Sequence, residues 1–108
     1  MTRQALVLGI LGTPLLLVTL ALSQDGEALA ARGRQLFFDQ GCHGCHTIGS
    51  LGTPIASDLS RAGRKYREVD LADWLRDPGR QKPTAHMPKI TLSEPEVQAL
   101  AAFLASLH

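Results

Sequence analysis

Five consecutive residues, Cys42-His43-Gly44-Cys45-His46, contain both cysteines of the chain and two of its four histidines, and they constrain everything around them. Spacings of three and four place Cys42, Cys45 and His46 on one face of a helical turn, where all three can address the same flat object. A disulfide framework needs more cysteine pairs, spread along the chain. A structural zinc site needs four ligands from separate places, and a set drawn from His43, His46 and two neighbouring thiols is cramped and incomplete. A thioredoxin-like dithiol needs a strand–helix–strand setting, and no alternating run long enough for a strand occurs.

The reading that remains is covalent attachment of one c-type haem through Cys42 and Cys45, with the imidazole of His46 pinned beneath the iron. Gly44 keeps the intervening turn slim, and His43 is read as an exposed, variable position. Size gives the cofactor a structural purpose as well. Residues 24–108 are read as one globular domain, and a body that small buries only roughly 60% of its unfolded surface, so its core needs a supplement.

The first 23 residues read as export machinery. Arg3 stands before an uncharged eighteen-residue run from Ala5 to Leu22, and Ala21-Leu22-Ser23 has the small residues that a signal peptidase prefers. The same run, 5–22, is just long enough for a membrane anchor, although Gly9, Gly12 and Pro14 weaken it. Either way residues 1–23 send the domain to the periplasm or the outer face of the cytoplasmic membrane. Setting them aside removes Arg3 and no acid, leaving ten basic and ten acidic residues. A nucleic-acid partner is disfavoured by that balance, because phosphate neutralisation requires a basic excess.

Helical signals account for the rest. Leu29, Leu36 and Phe37 mark a first helix over 25–40, with Gly41 as its stop. Thr47 to Ser57 reads as a loop, and Asp58 to Tyr66 as the site of a short helix beside a solvated basic cluster, Arg61, Arg64, Lys65 and Arg67. Asp70 is expected as the N-cap of a helix through Leu71, Trp74 and Leu75 that Asp77-Pro78 closes. Gly79 to Thr91 is expected to be an irregular loop stiffened by Pro83 and Pro88. Ser93 and Glu96 form a capping box with Pro95 in the first turn, opening a last helix with an apolar seam of Val97, Leu100, Leu104 and Leu107. The domain is therefore expected to be all-α.

A haem with an open sixth position binds small ligands, whereas one closed on both sides carries electrons. Met87 is the candidate for closing it: a methionine forty-one residues past His46, in a proline-stiffened and polar segment ill suited to core filling. His86 is its rival, since imidazole also binds iron. His108 sits at the end of the chain, where ordering is weakest.

These features together resemble the monohaem class I cytochrome c family over about residues 27–107. The resemblance rests on Gly33 and Phe37 ahead of the motif, on the motif itself, on Trp74-Leu75-Arg76-Asp77-Pro78, and on Met87-Pro88 before the last helix. It implies a cytochrome c fold of four to five helices around one haem, with His46 and Met87 as axial ligands. It also implies that Gly33 and Phe37 meet Phe103 where the first and last helices cross, and that Trp74 or Tyr66 lines the haem pocket or reaches a propionate. Where the family usually has a Gly-Pro-Asp-Leu-like segment, this chain has Thr53-Pro54-Ile55-Ala56-Ser57-Asp58-Leu59. Either Pro54 or the carbonyl of Ser57 then orients His46, a bond that raises the basicity of the ligand.

The function expected is one-electron transfer between membrane or periplasmic redox proteins, such as an oxidase, reductase or dehydrogenase, without catalysis by the chain itself. The alternative is a haem sensor or enzyme with a displaceable sixth ligand. A third reading makes the chain the haem subunit of a larger respiratory or sulfur-oxidising complex.

Overall fold

A computed structural model describes residues Thr13–His108, so Met1 to Gly12, the first part of the expected leader, lie outside the described residues. Among the described residues five α-helices follow one another: α1 (Thr13–Asp39), α2 (Ala62–Lys65), α3 (Glu68–Arg76), α4 (Pro78–Gln81) and α5 (Glu94–Ala105). The first helix begins twelve residues earlier than the 25–40 expected, since the apolar stretch after Gly12 is helical and joins α1 without a break. Among the described residues no helix is long and apolar enough to cross a membrane.

The pairing of α1 with α5 forms the centre, and α3 leans on α5 from another side. Among the described residues, half of the twelve buried apolar ones come from α5: Val97, Ala99, Leu100, Ala101, Phe103 and Leu104. The seam read from the sequence is therefore too narrow. Ala99 and Ala101 are buried too, because small side chains let two neighbouring helices close on α5 from different directions. Gly33 explains how closely α1 approaches. A Cβ there would overlap the Ala99 carbonyl and lie 2.6 Å from Phe103 Cβ. Phe37 fills the space one turn on, 1% exposed, with its ring edge-on to Phe103 at 6.0 Å. Leu29, expected in the same stripe, is 39% exposed and outside the core.

Local chemistry fixes the helix ends. The capping box is complete: Ser93 Oγ accepts from Glu96 N–H at 3.3 Å, and Glu96 Oε1 accepts from Ser93 N–H at 2.9 Å. The expected N-cap at Asp70 is not one. Arg67 occupies the cap position of α3, and Asp70, inside the first turn, binds its guanidinium at 2.9 Å. Asp77-Pro78 ends α3 but also starts α4, because Asp77 caps the Arg80 N–H at 3.3 Å and Pro78 stands where a missing N–H costs nothing. The irregular loop thus begins only after Gln81. A two-stranded ribbon, β1 (Thr47–Ile48) with β2 (Leu51–Gly52), is a further departure, too short to show any alternation in sequence.

Candidate functional site

Gly41, at φ +77°, turns the chain out of α1 into a 3-10 turn over Cys42–Gly44. The Cys42 carbonyl accepts from both Cys45 N–H (3.2 Å) and His46 N–H (3.0 Å), so the motif winds tightly and then leaves helical geometry. Cys42 packs against the hydrophobic core and Cys45 is exposed, and the two form no disulfide. Burial pushes the Cys42 thiol above its ordinary pKa, opposed in part by a hydrogen bond from its own backbone. No protein atom comes near the position of a Cβ on Gly44, so the polypeptide leaves open space there.

His43 is half-buried rather than exposed. Its ring lies 5.3 Å from that of Phe38, which stands edge-on to Phe37 at 5.5 Å, and the Arg34 guanidinium sits 5.3 Å from the Phe38 ring centre. A line of aromatic contacts thereby braces the motif on α1 and on the core beyond it. His43 Nδ1 is buried in this arrangement without a hydrogen-bond partner.

The following loop wraps back along the motif backbone. Thr53 N–H bonds to the His43 carbonyl at 3.0 Å, and the N–H groups of Ile55 and Ala56 both reach the Cys45 carbonyl, at 3.1 and 2.6 Å. Gly52, at φ +97°, makes the tight passage possible, because a side chain there would strike the His46 carbonyl. Asp58 closes the loop by bonding Thr47 Oγ1 (3.2 Å), Ser60 N–H (3.0 Å) and Ser60 Oγ (2.6 Å). The Ser60 bonds hold its carboxyl below the usual aspartate pKa, with a smaller contribution from Thr47.

This wrapping chooses between the two carbonyls that the sequence leaves open. Ser57 O lies 2.7 Å from His46 Nδ1. Pro54, the other candidate, sits at an exposed turn, and the N–H groups of Ile55 and Ala56 after it are tied to the Cys45 carbonyl. A carbonyl can only accept, so Nδ1 is the donor of this bond and Nε2 takes no part in it.

Met87 is half-buried against the core, and its neighbour His86 is exposed. Trp74, half-buried on α3, donates its indole N–H to Met87 Sδ at 3.1 Å. Tyr66 ends α2 at 54% exposure, away from the buried set. The basic cluster Arg61, Arg64, Lys65 and Arg67 is exposed throughout.

The donor set has a clear chemistry. Two thiols on one turn suit two thioether bonds, and imidazole nitrogen and thioether sulphur are donor types that iron accepts. Residues 30–108 match the cytochrome c family. The chain is also 34% identical over 95 residues to cytochrome c oxidase subunit 2 of Alkalihalophilus pseudofirmus, an alignment covering 80% of this chain and 28% of that protein. The chain thus spans less than a third of that relative's length. No solved structure matches it. Two neighbouring cysteines on a tight turn, an oriented histidine beside them and a family match over residues 30–108 lead to one conclusion: the chain belongs to the cytochrome c family and binds haem covalently through Cys42 and Cys45.

Proposed function

We propose that the protein is a one-electron carrier whose single haem is ligated by His46 and Met87, and that the chain is not itself an enzyme. The haem, when bound, supplies an iron that alternates between ferric and ferrous states by gaining and losing one electron. The residues do the rest. Cys42 and Cys45 anchor the cofactor's edge, Ser57 fixes the tautomer and ring plane of His46, and Met87 offers a soft sulphur donor that favours the ferrous state.

The observation that carries this reading is the 2.7 Å contact between His46 Nδ1 and the Ser57 carbonyl, which commits one ring nitrogen and leaves the other for iron. Carbon monoxide provides the test. A reduced protein that resists it at neutral pH, and whose ferric form has the sulphur-to-iron charge-transfer band in the far red, has His46 and Met87 on iron. Rapid carbon monoxide binding makes it a sensor or enzyme instead.

The place of work proposed is the periplasm or the outer membrane face, with residues 1–23 as signal or anchor and 24–108 as the haem domain. Its partners are redox proteins of a respiratory chain. A second reading is favoured by the relative, an oxidase subunit: the chain passes electrons while bound permanently in a larger complex. Co-purification of a haem oxidase with the tagged native protein supports that arrangement, and recovery of a lone monomer supports a free carrier.

A further inference from the structure

α1 runs unbroken from Thr13 to Asp39, and its residues up to Gln24 include five leucines and no charge. Each of its described positions from Val18 to Leu29 is exposed, so the domain gives them no cover. The end of the domain from which this stretch projects is built by α2 and the C-terminal end of α5. Gly63 N–H bonds the Leu107 carbonyl at 2.7 Å, and Gly26, Glu27 and Ala30 of α1 share a groove with Ala102, Ala105 and Ser106. Arg61, Arg64, Lys65 and Arg67 stand exposed on that end, with Tyr66 and Val69 beside them at 54% and 55% exposure. We propose that this end is the membrane face of the protein: its cations rest on anionic phospholipid headgroups, and the haem motif is turned away from the bilayer. The inference rests on the outer-face location proposed above.

Lipid, rather than a protein, is the occupant these features fit. Among the described residues Arg61, Arg64 and Lys65 make no salt bridge, and Arg67 alone of the four is paired, with Asp70 at 2.9 Å. Cations spread loosely over one face suit a fluid array of phosphates, which rearranges to meet them. A tyrosine among them suits the boundary, where its ring takes the apolar side and its hydroxyl the wet one. The charge-free turns of α1 leave from the same end; they are not long and apolar enough to cross a membrane, but they can enter one. Glu27 and Glu68 line the groove itself, so lipid contact falls to the α2 side of it.

The orientation has a consequence for electron exchange. At about 1.5 Å per residue, the helix from Gly26 to Asp39 carries the motif roughly 20 Å from the membrane end. Partners are then water-exposed redox domains and not a quinol dissolved in the bilayer.

The experiment uses the haem-loaded protein as isolated from its host, with vesicles of phosphatidylcholine alone or with added phosphatidylglycerol. Amine acetylation of the chain's three lysines is read by peptide mass spectrometry. Lys65 stands on the proposed face. Lys82 ends α4 and Lys89 lines a cleft with Arg76 and Glu94 at the start of α5, so both report on the far end. Reading a single side chain works whether the apolar run is cleaved or retained. Labelling of Lys65 relative to Lys89 should fall at least about fivefold on the anionic vesicles only, and should recover in molar salt. Arg61→Ser with Arg64→Ser should shift the balance toward the detached, labelled state about thirtyfold, roughly fivefold for each cation. The charge-matched pair Arg80→Ser with Lys82→Ser should leave Lys65 protected. Equal labelling of Lys65 on both vesicles overturns the proposal, as does protection of Lys89 in its place. Protection that needs an added acidic protein, with no effect of lipid, gives the face to a protein partner and overturns it as well. Fast reduction of the ferric protein by a bilayer-dissolved quinol, with no other protein present, overturns the orientation. Recovery of the chain in the cytoplasmic fraction sinks the outer-face location, which is a separate failure.

Discussion

The α1–α5 crossing and the Cys42–Ser60 region fix their geometry by opposite means. At the crossing, Gly33, Phe37, Ala99 and Phe103 interlock through shape, with no buried polar side chain among the described residues of the core. Around the motif, backbone groups do the holding: the Cys42 and Cys45 carbonyls each take two N–H groups, and Ser57 reaches His46. Packing energy is spread over many weak contacts and tolerates small shifts. Hydrogen bonds act at single atoms and define where a ligand points. The core therefore sets how stable the domain is, and the loop sets what its histidine can do.

The largest effect should come from cutting the cofactor's tether. If haem takes about 400 Å² of apolar surface from water, its loss removes on the order of 10 kcal/mol, comparable with a domain's whole net stability of roughly 5 to 15 kcal/mol. Cys42→Ala combined with Cys45→Ala is expected to give a largely unfolded chain. Native helix content by circular dichroism in that variant would mean the helical core stands alone, and the contrast between regions would sharpen.

Next in size is the core itself. Phe37→Ala should cost about 3 to 5 kcal/mol by loss of a buried ring, read from urea unfolding of the haem-loaded protein, while the far-red band stays in place. A band that vanishes with Phe37 would break the separation between core and loop, since Phe37 touches Phe38 and through it His43. Ser93→Ala tests the core from its edge. Removing the cap of α5 should cost about 1 kcal/mol, again with no change at the iron.

The smallest expected effect belongs to the loop and appears in acid. Asp58 is held below its ordinary pKa of 3.8 by Ser60 and then Thr47, so its contribution is complete above that value and is lost as pH falls through the lower, folded value. The urea midpoint of the native protein should therefore drop more steeply on acidification below about pH 4 than that of Asp58→Asn. Parallel curves would show that the Asp58 network adds nothing to the loop.

Much of this was legible in advance where a signal is local. The Ser93–Glu96 capping box and the stop at Gly41 each depend on a few neighbouring residues, and each has the expected geometry. The Gly33–Phe37–Phe103 contact was legible only through resemblance, and it too is present. Asp77-Pro78 has the composition of a helix stop, yet an aspartate followed by proline is also a helix start, and here Asp77 caps the Arg80 N–H. Asp70 was misplaced because Arg67, three residues before it, offers a stronger partner than an open backbone N–H. Nothing in the local sequence marks Ala99 and Ala101 as core, since alanine is at home inside and outside.

By itself the sequence determined the chemistry available: two thiols and an imidazole on one turn, a methionine between prolines, and helices whose ends are written in their own caps. Only the tertiary structure decided which carbonyl faces His46 and that Trp74 reaches Met87 rather than standing free. The reason is one of range. Caps and turns are settled by bonds across three or four residues, whereas the eleven residues from His46 to Ser57 and the thirteen from Trp74 to Met87 are bridged only once the loops have been wrapped and the helices packed.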